Sequence, residues 1–260
     1  MSVPYLMEDP REAARLVDKV DAPQWVEGHL SEVMSPRAVV LDAGAGPGHL
    51  AAAVLTRWPG ARVVAFDGST RRLRVGSMDT TLDRCCGDLR RLPFRTGSFD
   101  VAYTRLTLQY VPERGRAVAE LARVTRPGGA VVLFDLDGQL VWHDPVDPQL
   151  DKWLSETLSA LGANVLDPHA GRKLYRLAWE AGLTDLTVRV EPYHLIAGQV
   201  DEAERARWTL KLDVARPAIT RALGSADRAR RAIDAFLRFL DQENTLTYSV
   251  AFTVTGRVPG

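Results

Sequence analysis

The 260-residue sequence predicts an α/β fold: a mostly parallel sheet of seven strands with helices on both faces, plus a helical cap. Three observations predict it. Short apolar runs such as 38–41 and 130–134 read as buried parallel strands, and they alternate with stretches of helical periodicity. Gly44, Gly46 and Gly48 join the first apolar run to a small-residue helix start at Ala51, Ala52 and Ala53, the arrangement of a nucleotide-binding turn. After 240, Leu246, Tyr248, Val250, Phe252 and Val254 alternate with Thr, Ser and Ala, which marks a closing strand.

Taken in order, residues 10–33 read as helical through Ala13, Leu16, Val17 and Val20, then Pro23 and a second set of Trp25, Val26, Leu30 and Val33. The strand at 38–41 and its glycine turn follow. Glycines there remove the Cβ atoms that would block a ligand, and the next helix points free N–H groups at the same crevice, so the ligand should lie on backbone. A second buried strand, 61–69, ends in Asp67, 19 residues after Gly48, where a carboxylate can accept both hydroxyls of a ribose. Residues 70–83 make a poor helix. A short strand holding Cys85 and Cys86 delivers Asp88 and Leu89, and 101–104 forms a fourth strand. A helix over 116–126 stops at Pro127-Gly128-Gly129 and a fifth strand runs through 130–138. Helices at 150–161 and 174–181, a sixth strand at 186–190, and helices at 202–223 and 227–240 precede the final strand. A short hairpin could join the last two strands, so the roughly fifty residues between them are expected to roof an acceptor pocket.

Composition excludes several classes. The 33 basic residues balance the 33 acidic ones, which disfavours a nucleic-acid partner, and the arginine run 71–95 is diluted by Asp79, Asp83 and Asp88. The two adjacent cysteines suit a reducing interior and lack the clustered partners of a metal site. No window approaches a membrane span or a signal peptide, so the expectation is a cytoplasmic protein with no membrane partner; its oligomeric state is not legible.

The glycine turn stands in the frame D-x-G-x-G-x-G from Asp42, and Asp67, Asp88, Leu92-Pro93-Phe94, Ser98-Phe99-Asp100 and Arg126-Pro127-Gly128-Gly129 follow in sequence. This ordered set resembles the class I S-adenosylmethionine (SAM) dependent methyltransferases, in particular the small-molecule enzymes of ubiquinone and menaquinone biosynthesis. The resemblance covers 39–138. It implies a Rossmann-like core whose last strand is antiparallel beside the sixth, and a division into an N-terminal helical lid (1–35), a SAM-binding core (36–190), a helical cap (191–242) and a final core strand (243–260). It assigns cofactor contacts to Asp42, Gly44, Gly46, Gly48, Asp67, Gly68, Asp88, Leu89 and Arg105, with Tyr5 and Arg15 as lid contacts. S-adenosylhomocysteine (SAH) is the implied product. Tyr110 stands where relatives often carry histidine.

The expected activity is methyl transfer to a small organic acceptor, oxygen preferred, by an in-line displacement that depends mainly on alignment. His143 and Tyr110 are the candidate bases or orienters, His143 because it follows the fifth strand by a few residues. Arg172, Tyr175 and His194 are candidate substrate contacts. Because fold does not fix chemistry, a non-methyl reaction such as cyclisation, or a non-catalytic SAM-binding partner protein, is the alternative.

Overall fold

A computed structural model of the chain describes residues 21–75, 82–162 and 166–260. Strands β1 (Val39–Ala43), β2 (Arg62–Asp67), β3 (Asp83–Cys86), β4 (Phe99–Arg105) and β5 (Thr125–Asp144) pair in parallel. Strand β7 (Leu246–Arg257) inserts antiparallel between β5 and β6 (Thr184–Ala197), giving the order β3-β2-β1-β4-β5-β7-β6. The fold class and the antiparallel last strand are as expected. Chain order reverses at β1, whose neighbours are β2 and β4, and the crevice beyond the strand ends at such a switch point is where open α/β sheets bind ligands.

Both sheet faces are covered, which explains the apolar strands. On one, Val40, Val63, Val101, Val132 and Phe134 pack beneath α1 (Ala22–Leu30) and α2 (His49–Arg57). The other buries Leu41, Phe66, Ala102 and Leu133 with α4 (Arg114–Val124) and α6 (Leu174–Glu180); the short α3 (Thr70–Val75) follows β2. A third cluster joins α5 (Pro148–Gly162), α7 (Glu202–Leu223) and α8 (Ala226–Leu240) through Leu150, Trp208, Leu212, Phe236 and Leu240. Caps set these helices: Asp201 accepts from the Glu204 N–H at 2.7 Å, and Gly224 takes the left-handed conformation that ends α7.

Two boundaries, one at each end of β5, differ from expectation. The helix expected over 116–126 is the Arg114–Val124 element, because Thr125 already pairs with Phe99; residues 126–129 bulge before Ala130 pairs with Val101. Strand β5 does not stop at 138. Gly138 (φ +76°) marks a second irregularity, after which Trp142, His143 and Asp144 pair with Tyr248, Thr247 and Leu246. Strands β5, β7 and β6 thus project past the parallel sheet and carry the cap.

In β7 the sequence alternation is inverted. Thr247, Ser249, Ala251 and Thr253 are buried, whereas Tyr248 is exposed. Their hydroxyls meet histidines: Thr247 Oγ1 lies 2.9 Å from His143 Nδ1, Ser249 Oγ 2.6 Å from His194 Nδ1, and Thr253 Oγ1 3.1 Å from His29 Nδ1. Alternate residues share a face, so α1 and the cap lie on the same side of the sheet.

His29 fastens α1 down. Its ring stacks on Trp25 at 4.8 Å, and Nε2 lies 3.4 Å from Glu191 Oε1. Burial, then the positive charges of Arg189 and Arg105, push its pKa down to about 4. The folded state therefore holds a neutral imidazole, whose stabilisation is complete above the unfolded value of 6.5 and is lost as pH falls toward about 4. We predict that the melting-temperature advantage of wild type over His29→Gln shrinks between pH 7 and pH 4.5; an advantage independent of pH in that range would refute a neutral buried His29.

Candidate active site

The glycine turn is held by the tip of β2. The Phe66 carbonyl accepts from the N–H groups of Gly44 (2.7 Å) and Ala45 (2.9 Å), and Asp67 Oδ2 accepts from the Gly46 N–H at 2.8 Å. The other oxygen, Oδ1, accepts from the Ser69 N–H at 2.8 Å. All three turn glycines have positive φ, +90° at Gly44, +55° at Gly46 and +84° at Gly48, which caps α2. Their surroundings differ. A Cβ at Gly44 would collide with the Thr107 side chain, whereas one at Gly46 would meet nothing within 4 Å and project into open space. That open space beside bare backbone is the cradle a nucleotide needs.

Asp42 is fully buried on β1, beside Tyr103 of β4. Burial raises its pKa to about 7, with the Tyr103 hydroxyl opposing the shift and the Asp67 charge adding to it. Its Oδ2 has no hydrogen-bond partner among the described residues. His49, the first residue of α2, is pushed down to about 4 by burial and then by Arg105, so it stays neutral. Asp88 follows β3, half exposed, and its carboxylate is held by the Arg90 guanidinium (2.7 Å), which keeps its pKa below the usual range. Leu89 beside it is buried. Asp42, the glycine turn, Asp67 with Gly68, and Asp88 with Leu89 thus occupy or follow the ends of three adjacent strands, β1, β2 and β3.

Arg105 ends β4, close enough for its charge to act on Asp42 and His49. Its guanidinium carbon lies 5.3 Å from the ring centre of Phe134, 5.8 Å from Trp25 and 5.9 Å from Tyr193, and Nη2 donates to the Tyr193 hydroxyl at 3.3 Å. These rings come from α1, β5 and β6, which sequence distance concealed.

The remaining candidates are dispersed. Tyr5 and Arg15 lie outside the described residues. His143 is not at a loop edge: the extended β5 carries it into the cap, where Phe239 (5.3 Å) and Phe236 (5.6 Å) face its ring. His194 is buried against Trp208 and Ser249. Tyr110 sits in the short 3-10 turn Leu108–Tyr110 after β4. Arg172 is clamped by the buried Asp137 through bonds of 2.6 and 2.7 Å, and Tyr175 is half exposed on α6. Cys85 and Cys86 are free thiols, and no cluster of metal-ligating side chains occurs among the described residues.

Fold and site together define an α/β protein with bare main chain at the β1 turn and acids at the ends of β2 and β3. Comparison with known proteins narrows the class. A methyltransferase domain family model matches residues 41–133. A malonyl-[acyl-carrier protein] O-methyltransferase of Halorhodospira halophila is 31% identical over 221 residues, covering 82% of this chain and 72% of that one. An uncharacterized 37.1 kDa protein in transposon TN4556 of Streptomyces fradiae is 34% identical over 161 residues, 59% of this chain; the match spans only 45% of that protein. Among solved structures, BH2331 of Bacillus halodurans C-125 aligns with a TM-score of 0.60 at 16% identity over 92% of this chain and 99% of that one. Phosphoethanolamine N-methyltransferase 2 of Haemonchus contortus, in complex with S-adenosyl-L-methionine, aligns at 0.55 and 16% over 92% and 56%. The chain belongs to the class I SAM-dependent methyltransferases, and its cofactor is SAM.

The contrast between the two glycines is testable. Gly46→Ala should cost about 1 kcal/mol of stability, the order of a left-handed non-glycine residue, yet lose most SAH affinity because its methyl enters the cradle. Gly44→Ala should melt lower than Gly46→Ala, since it also displaces Thr107. Calorimetric titration with melting curves checks both, and a Gly46→Ala protein that binds SAH like wild type would contradict the cradle.

Proposed function

We propose that the chain transfers the methyl group of SAM to an oxygen of a small organic acceptor, and that this oxygen belongs to a carboxylate. When bound, SAM supplies an electrophilic methyl group on a sulfonium. The main chain of Gly44, Gly46 and Gly48 would hold its amino-acid portion, Asp67 and Gly68 the ribose, and Asp88 with Leu89 the adenine. Asp67 keeps lone pairs beyond those given to Gly46 and Ser69, and Asp88 is an ionised acceptor suited to an amino group.

The observation that carries the acceptor reading is that His143, a candidate base, and the histidines nearest it in the chain are engaged within the fold. His143 and His194 are held by hydroxyls and aromatic rings of the cap and its strands, and His169 lies 3.5 Å from the buried Asp137. A hydroxyl acceptor must lose a proton and gains from a base, whereas a carboxylate is already an anionic nucleophile at neutral pH. Methylation of a carboxylate needs alignment and exclusion of water more than proton transfer. The α7 and α8 helices, on the same sheet face as α1 and Arg105, are positioned to roof the acceptor. The Halorhodospira relative's name, an O-methyltransferase, agrees with oxygen as acceptor.

Calorimetry with SAM and SAH tests the cofactor assignment. Asp67→Asn, which retains one acceptor oxygen for the Gly46 N–H, should weaken binding more than tenfold while the protein still folds, as the ionised partner for the ribose hydroxyls is lost. Unchanged affinity in a folded variant would remove Asp67 from the site.

A further inference from the structure

Arg105 stands apart from the other arginines. Several half-buried arginines are neutralised, Arg90 by Asp88, Arg123 by Glu120, Arg172 by Asp137, Arg205 by Asp241 and Arg228 by Glu156. Arg105 forms no ion pair among the described residues, and its buried Nε has no hydrogen-bond partner there. Three aromatic faces and one long hydrogen bond compensate it in part. Cation–π contacts are each modest, whereas a guanidinium withdrawn from water gains most from a bidentate carboxylate. The unfilled capacity calls for an anion.

Its surroundings bear on which anion. Its charge is felt at Asp42 and His49 on one side, while the rings around it come from β5, from β6 and from α1. Tyr193 sits where β6 bulges, between Pro192 and His194, and His194 begins the stretch that packs on the cap helix α7. The guanidinium therefore stands between the cofactor strands and the elements, α1, β5 and β6, that adjoin the cap. We infer that Arg105, framed by Trp25, Phe134 and Tyr193, is a carboxylate-recognition subsite for the methyl acceptor, and the determinant that selects acidic over neutral acceptors. This inference rests on the acceptor reading above and assigns the residue that would enforce it. It also moves Arg105 from the cofactor contacts, where its sequence position had placed it, to the acceptor side.

The probes are malonyl-pantetheine, a thioester with one free carboxylate, and its methyl ester, which lacks the charge and carries one added methyl group. Each is titrated into wild type and Arg105→Gln, with and without saturating SAH, following the fluorescence of Trp25 against a Trp25→Phe control. Wild type should bind the acid at least tenfold more tightly than the ester, Arg105→Gln should bind the two equally, and SAH affinity should change less than threefold in the variant. Equal binding of acid and ester by wild type, or no binding of the acid at millimolar concentration, would overturn the subsite. So would a loss of SAH affinity in Arg105→Gln as large as the loss for the acid, since the anion would then be the cofactor's own carboxylate. Absence of SAH binding by wild type, with acid selectivity intact, would instead count against the cofactor reading alone.

Discussion

The tip of β2 is the constraint on which the site depends. Glycines in the left-handed region would leave the turn free to adopt other shapes, and three hydrogen bonds remove that freedom. The Phe66 carbonyl takes two turn amides and the Asp67 carboxylate takes a third. Asp67 is thus a strut of the cradle as well as a candidate ligand to the ribose, and a carboxylate serves both because it offers about four lone-pair sites. With the turn fixed, α2 begins at His49 and covers the buried Asp42, and the space beside Gly46 stays open.

A second device sets the opposite side of the crevice. Strands β5, β7 and β6 outrun the parallel sheet, and alternate hydroxyls of β7 face inward toward His143, His194 and His29. A buried hydroxyl or imidazole without a partner is costly, so each pairing satisfies two polar groups at once and fixes the register of what packs there. One rail of Thr247, Ser249 and Thr253 therefore ties α1 and the cap to the same sheet face, with the aromatic frame of Arg105 between them. One part of the crevice offers backbone and acids; the other offers rings around one cation.

Much of the parallel half was legible because local pattern and global position agree there. Apolar runs on both-face-buried strands, left-handed glycines, and Asp67 at its distance from Gly48 each have one physical reading. The acceptor side was less legible. The Thr and Ser of β7 look like a solvent-facing row until the histidines that meet them, up to 224 residues away, are known. Gly138 looks like a strand end, yet β5 bends there and continues, which is why His143 belongs to the cap core and not to an open edge. Arg172 resembled a substrate contact, but the partner that claims it, Asp137, is 35 residues distant. In each case a long-range polar partner overrode a local cue. His29, absent from every sequence-based list, is the plainest instance. A lone histidine on an apolar helix face carries no signal of its own.

The most direct measurement is a crystal structure of the protein with SAH. Adenosine should lie across the ends of β1, β2 and β3, with its sugar hydroxyls on Asp67, its amino-acid portion against Gly44–Gly48, and the Arg105 guanidinium still inside its three rings and free of the product. Product bound elsewhere, or its carboxylate paired with Arg105, would contradict the division of the crevice into a cofactor side and an acceptor side.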